Sequence, residues 1–119
     1  MDFGQYILDE DGNPRREKNF LKWALWLGNH DRKVKKDFFR VRGKLIEVST
    51  VFLGLDQRSR FQRDPKPLLW ETMTFSQEEG IIYCDRYASR ADALAGHAVA
   101  LALAKGETLE KLAELKDTR

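Results

Sequence analysis

Four runs rich in β-branched and aromatic residues fall between residues 38 and 87, and no helix-length segment separates them. They cover residues 38–41, 45–55, 68–75 and 81–87. Parallel neighbours need a long crossover, usually a helix, whereas antiparallel neighbours need only a turn. Here Arg42-Gly43 and the stretch 77–80 read as turns, and the remaining connection is a polar, proline-containing loop at 56–67. This order predicts a mostly antiparallel sheet and argues against a doubly wound parallel one. Within 68–75, Leu69, Glu71, Met73 and Phe75 fall on one face, and Trp70, Thr72 and Thr74 on the other. The run 45–55 alternates poorly at its start, so both its faces are covered for part of its length. Gly54 near its end marks a bulge or a close backbone approach.

Helical signals flank this β-rich middle. Residues 5–8 form a short apolar strand stopped by Asp9-Glu10-Asp11-Gly12. Asn13-Pro14 then has the form of a cap followed by a first helical residue, which predicts a helix over 14–27 ended by Gly28-Asn29. Phe20, Trp23, Ala24 and Leu27 share one stripe of that helix, Leu21 and Leu25 widen it, and Trp26 lies outside it. An apolar arc this wide predicts a homodimer or larger oligomer with Trp23 and Trp26 in the interface, since Trp is enriched at binding hot spots. Ser89-Arg90-Ala91-Asp92 resembles a capping box and opens an alanine-rich helix to about residue 104, with Leu94, Ala98, Leu101 and Lys105 on one face. Lys105-Gly106 closes that helix, and 107–116 reads as a last amphipathic helix. The 119 residues therefore form one α+β domain over 1–119. Its mostly antiparallel sheet has about four to five strands, with helices packed on one face.

Composition narrows the setting. The 13 aromatic residues (3 Trp, 3 Tyr, 7 Phe) argue against disorder as the main state. No apolar run approaches the roughly 20 residues of a membrane span. The start, Met1-Asp2-Phe3-Gly4, has neither a basic nor an apolar leader pattern. The expectation is a cytoplasmic protein without a membrane partner. Cys84 is the only cysteine, so it forms neither an internal disulfide nor a zinc site. Its place in a strand predicts a buried, inert thiol.

The net charge of +2 is unevenly distributed. Residues 32–66 carry 11 basic and 4 acidic side chains, whereas the segments before and after them are net acidic. One basic cluster holds Arg32, Lys33, Lys35, Lys36, Arg40, Arg42 and Lys44, and the other holds Arg58, Arg60, Arg63 and Lys66. Such a layout concentrates anionic partners, although a solvated charged face has the same composition. In the second cluster arginine forks suit carboxylate or phosphate, and Phe61 supplies an apolar anchor. Arg58, Arg60, Phe61, Arg63 and Lys66 are therefore the candidate contacts for an anionic protein, a nucleotide or a nucleic acid. Phe38, Phe39, Phe52, Phe61 and Trp70 are interleaved with basic residues as in single-strand binders, yet Phe38, Phe39 and Phe52 are more simply core residues.

Signatures of catalysis are missing: the chain has no phosphate-binding loop, no nucleophile elbow and no zinc-protease motif. Of the polar residues scattered near strand ends and helices (Asp56, Glu71, Thr72, His30-Asp31 and His97), Asp56, Glu71 and His97 would make a divalent-metal or acid–base site if they converged. Each has a plainer role. Asp56 suits a turn, Glu71 a cross-strand ion pair, and His97 helix–sheet packing with a ring nitrogen on a carbonyl. No cofactor is implied.

The stretch Val48-Ser49-Thr50-Val51-Phe52-Leu53-Gly54-Leu55-Asp56, followed by Leu68-Leu69-Trp70-Glu71-Thr72-Met73-Thr74-Phe75, resembles a core shared by small uncharacterised proteins of phages and prophages. Trp23 and Trp26, Asp31-Arg32, Arg86-Tyr87 and Ala95-Gly96-His97 fit the same resemblance, which spans residues 5–104. Gln57 stands where similar proteins often have His, and the basic 58–66 loop replaces a shorter, Gly-rich one. The resemblance implies an accessory protein of the host cytoplasm. It would act by binding, for instance by blocking a host defence protein or sequestering a nucleotide. The alternatives are a small metal-dependent enzyme using Asp56, Glu71 and His97, and a nucleic-acid-binding module using the basic 32–66 region.

Overall fold

The computed structural model describes residues 4–58 and 66–106. Its elements in chain order are β1 (Tyr6–Leu8), β2 (Pro14–Arg16), α1 (Phe20–Asn29), β3 (Lys33–Val41), β4 (Lys44–Phe52), β5 (Trp70–Ser76), β6 (Gly80–Tyr87) and α2 (Arg90–Ala104). β3, β4, β5 and β6 form a four-stranded sheet in that order, every pair antiparallel, and β1 and β2 form a separate two-stranded ribbon. The α+β architecture agrees with the order of signals in the sequence. The β3–β4 turn is Arg42-Gly43, both residues at positive φ (51° and 79°). That is the backbone a two-residue hairpin requires to match strand twist. The lysine-rich start of β3 is strand as well, earlier than its apolar content suggests.

Cross-strand partners share a face, so the register sorts the sheet into two surfaces. Ile46, Val48, Thr50 and Phe52 of β4 and Trp70, Thr72, Thr74 and Ser76 of β5 are buried on one side. α2 packs there. Ser89 caps it by accepting the Asp92 N–H (3.1 Å), and it ends at Lys105 as its sequence predicts. Its buried stripe is Ala93, Gly96, His97 and Ala100. The expected face of Leu94, Ala98, Leu101 and Lys105 is instead the flank, with Ala98 and Lys105 exposed. Small side chains won because the helix lies close to the sheet. A Cβ on Gly96 would fall inside the Tyr87 hydroxyl.

The N-terminal third differs from expectation. The helix predicted over 14–27 is replaced by β2 followed by a shorter α1. Asp9 is the cause. Its Oδ1 accepts the N–H groups of Asp11 and Asn13 (2.9 Å each), and its own N–H donates to the Asn13 carbonyl. This folds 9–13 into a turn that pairs Pro14 with Leu8, Arg15 with Ile7 and Arg16 with Tyr6. Asn19, not Asn13, caps the helix, accepting from the Lys22 N–H at 3.0 Å. Gly28 and Asn29 lie inside the last turn rather than beyond it; the Asn29 side chain donates to the Leu25 carbonyl, and His30 bonds the Trp26 carbonyl.

Gly54 joins this region to the sheet. At φ +75° its carbonyl accepts both the Tyr6 N–H and the Trp23 indole N–H, each at 2.8 Å. An added Cβ would meet Leu27 Cδ2 at 2.8 Å. Both the unusual backbone and the close approach call for glycine here. The core then runs through Phe52, Leu69, Trp70 and Ala93, with Tyr6, Leu8, Trp26, Val34 and Tyr87 packed against it. Among the described residues no helix is long and apolar enough to cross a membrane. The helix expected over 107–116 lies outside the described residues.

Candidate functional site

Residues from three strands and α2 meet at one polar centre, buried except at Asp37, whose side chain is partly exposed. His97 is fully buried, and its Nε2 lies 2.7 Å from Asp37 Oδ2 on β3. Its Nδ1 lies 2.7 Å from Thr50 Oγ1 on β4. Thr50 Oγ1 is 2.6 Å from Thr72 Oγ1, its register partner on β5, and the Thr72 hydroxyl donates to the Ala93 carbonyl on α2 at 3.3 Å. The chain of bonds can be satisfied in two ways. With neutral His97, Nε2–H donates to Asp37 and Nδ1 accepts the Thr50 hydroxyl. With the imidazolium, both ring N–H groups donate. Thr50 then turns to Thr72, and Thr72 to the Ala93 carbonyl. Each rotor has an acceptor in either state, so the centre avoids the cost of a buried unpaired group.

Carboxylate, imidazole and hydroxyl stand here in the order of a hydrolytic triad. The hydroxyl is nevertheless sealed: Thr50, Thr72 and His97 have no exposed surface. A nucleophile must reach a substrate carbonyl, so this geometry serves structure. It straps α2 across β3, β4 and β5. The expected packing role of His97 is thus what the structure has, but its nitrogens meet a hydroxyl and a carboxylate rather than a carbonyl.

The sequence-derived triplet of Asp56, Glu71 and His97 does not assemble. Glu71 lies on the face of β5 opposite Thr72 and is held by the Arg86 Nε at 3.0 Å, its register partner on β6. Asp56 binds Arg58, whose Nη2 donates at 2.8 Å, and also accepts the N–H groups of Arg58 (3.0 Å) and Leu68 (3.1 Å). Burial pushes the Asp56 carboxyl upward, but the Arg58 side chain and the two N–H donors outweigh it and hold the group below its usual range. Among the described residues no three His, Cys, Asp or Glu side chains are gathered so as to hold a metal ion.

Of the proposed anion contacts, Arg58 is engaged with Asp56, Lys66 is exposed, and Arg60, Phe61 and Arg63 lie outside the described residues. Trp23 and Trp26 both find partners within the chain. Trp23 bonds Gly54, while Trp26 stacks on His30 (4.5 Å between ring centres) and meets Phe52 edge-on (5.9 Å). The helix surface left exposed is Phe20, Leu21 and Leu25.

Among the described residues no helix lies on the other sheet face. Its cross-strand rows are Phe38–Glu47–Phe75–Ile81 and Lys36–Ser49–Met73–Cys84, followed by Val51–Glu71–Arg86. Phe38 is 60% exposed, Ile81 57% and Ile82 46%. The acids on this face are matched internally, Glu47 by Lys36 at 3.1 Å and Glu71 by Arg86. Cys84 lies here too, exposed rather than buried as expected. Burial first, then the Glu71 carboxylate, push its thiol pKa up, so the unreactive protonated form is favoured. No protein-family model, curated protein or solved structure matches the chain. The open face went unread in the sequence, although the alternation of 68–75 already set Met73 and Phe75 opposite the threonines.

Proposed function

We propose that this chain is a small binding protein of the phage accessory type, which engages a host protein through the open face of its sheet. The observation that supports this is the covering of one sheet face by α2 while the other, among the described residues, displays Phe38, Ile81 and Ile82 with half-buried Met73 and Phe75 beside them. Exposed contiguous apolar surface rimmed by polar groups marks interaction sites. The two ion pairs Lys36–Glu47 and Glu71–Arg86 give that rim without a strong net charge, which suits a protein better than a polyanion. An antagonist of host defence is one role consistent with the resemblance to phage proteins. The test is affinity capture from host extract with the wild-type chain, Phe38→Asp and Arg58→Ser. The reading expects Phe38→Asp to lose the captured protein and Arg58→Ser to retain it. The reverse pattern would move recognition to the basic loop.

Nucleic-acid binding is a second reading, favoured by Lys33, Lys35, Lys36 and Arg40 on the single strand β3. Binding of a single-stranded oligonucleotide that weakens steeply with salt would support it. Lys36 on that strand is already matched by Glu47, and Lys44 at the start of β4 by Glu78 and Glu79, which reduces the charge this region presents.

A further inference from the structure

The two edges of the four-stranded sheet are guarded differently. β3 carries Lys33, Lys35, Lys36 and Arg40, so two copies meeting along it would set cation against cation. β6 has no lysine and no proline, and Ile81, Ile82 and Cys84 on it are exposed. Among the described residues β5 is its only strand neighbour. An edge of this kind is a template for one more strand.

We propose that β6 pairs with β6 of a second copy, antiparallel about a two-fold axis normal to the sheet. The product is one sheet of eight strands, with both α2 helices on the same side. The two-fold requires residues of the open face to meet residues of the open face. Centring the pairing on Asp85 or on Arg86 would set like charges against each other. Centring it on Tyr83 would bring Asp85, on the helix side, against Ile81. A bulge leaves Ile82 as the extra residue and turns Ile81 to the open face beside Phe75. Centring on Cys84 avoids every like-charge contact and matches the faces from Ile82 to Arg86, the longest such stretch; Ile81, turned by the bulge and set against helix-side Tyr87, ends the pairing. Ile82 then lies across from Arg86 of the second copy on the open face. On the helix side Tyr83 lies across from Asp85 of the second copy, a phenol facing a carboxylate. The two open faces become one continuous surface, but the pairing does not depend on that surface having a partner.

The experiment is sedimentation equilibrium of the purified protein across micromolar concentrations, for wild type, Ile82→Lys and Ile82→Glu. Ile82 is exposed, and both substitutions remove the same apolar side chain. The expected result is a dimer for wild type. Lysine facing Arg86 of the second copy, twice by symmetry, should weaken it by tenfold or more. Glutamate at the same place should keep the dimer or tighten it. A monomeric wild type, growth into open polymers, or equal weakening by both variants (the behaviour of two open faces stacking) would overturn the proposal. Loss of a captured host partner bears on the functional reading alone and leaves this measurement unaffected.

Discussion

On the helix side of the sheet, Thr50, Thr72, Thr74 and His97 are packed out of reach of solvent, and the helix comes so near that only glycine fits over Tyr87. On the other side of the same strands, Phe38, Ile81 and Ile82 are exposed, and Glu47 and Glu71 pair with Lys36 and Arg86. A polar centre inside and an apolar surface outside invert the usual arrangement. The difference teaches that burial of polarity is tolerated where each group has a defined partner. Exposure of apolar surface, by contrast, calls for something that uses it.

The contrast breaks most completely at Gly96. Replacing it with Val should cost about 3 kcal/mol or more, because even the first added carbon overlaps the Tyr87 hydroxyl and ring, so the ring or the helix must shift. Thermal unfolding should record a fall on the order of 10 °C. Gly96→Ala combined with Tyr87→Leu should lose less than the two single changes together, a coupling that a double-mutant cycle measures.

A smaller and more discriminating effect separates two threonines on the same strand face. Thr50→Val removes a hydroxyl that bonds both His97 and Thr72, and should destabilise by about 1–3 kcal/mol. Thr74 is also buried, but among the described residues its hydroxyl has no partner. Thr74→Val should therefore be neutral or stabilising by about 1 kcal/mol in urea unfolding. Equal losses at both positions would show that the polar centre is no more than packing.

The smallest effect belongs to the open face. Phe38→Ser should change stability by no more than about 0.5 kcal/mol, since the side chain is mostly solvated already. A large loss would mean that Phe38 has a covering contact and that the two faces are alike.

Strand identity was readable because β-branched runs and turn residues agreed with each other, and α2 because Ser89 and Lys105-Gly106 bounded it. The 14–27 helix failed for a physical reason. Asn13-Pro14 is as good a strand entry as a helix cap, and the Asp9 side chain, four residues away, decides between them. Asn19 was available as a cap and supplied no stronger local signal. The polar centre was half legible: His97 stood out, but its partners Asp37, Thr50 and Thr72 are unremarkable within their strands. Only the register and the helix phase bring them together. The wide apolar arc of the first helix and the place of Trp26 outside its stripe pointed to a partner copy; the contacts of Trp26 with His30 and Phe52 inside the chain were not legible in that spacing.

The ties at Asp56 have a consequence for how the chain tolerates change. The Gln57 N–H donates to the Leu68 carbonyl at 3.0 Å, and one Asp56 oxygen accepts from both Arg58 and Leu68, so the entry and exit of the long connection are clamped together. Length added beyond such a neck costs only closure entropy, about 0.6 kcal/mol for each doubling of a flexible loop. Register between β4 and β5 is thereby insulated from whatever sequence is spliced between Arg58 and Lys66. That makes this segment an insertion point for a reporter peptide, and a place where natural variants can diverge in length without disturbing the scaffold.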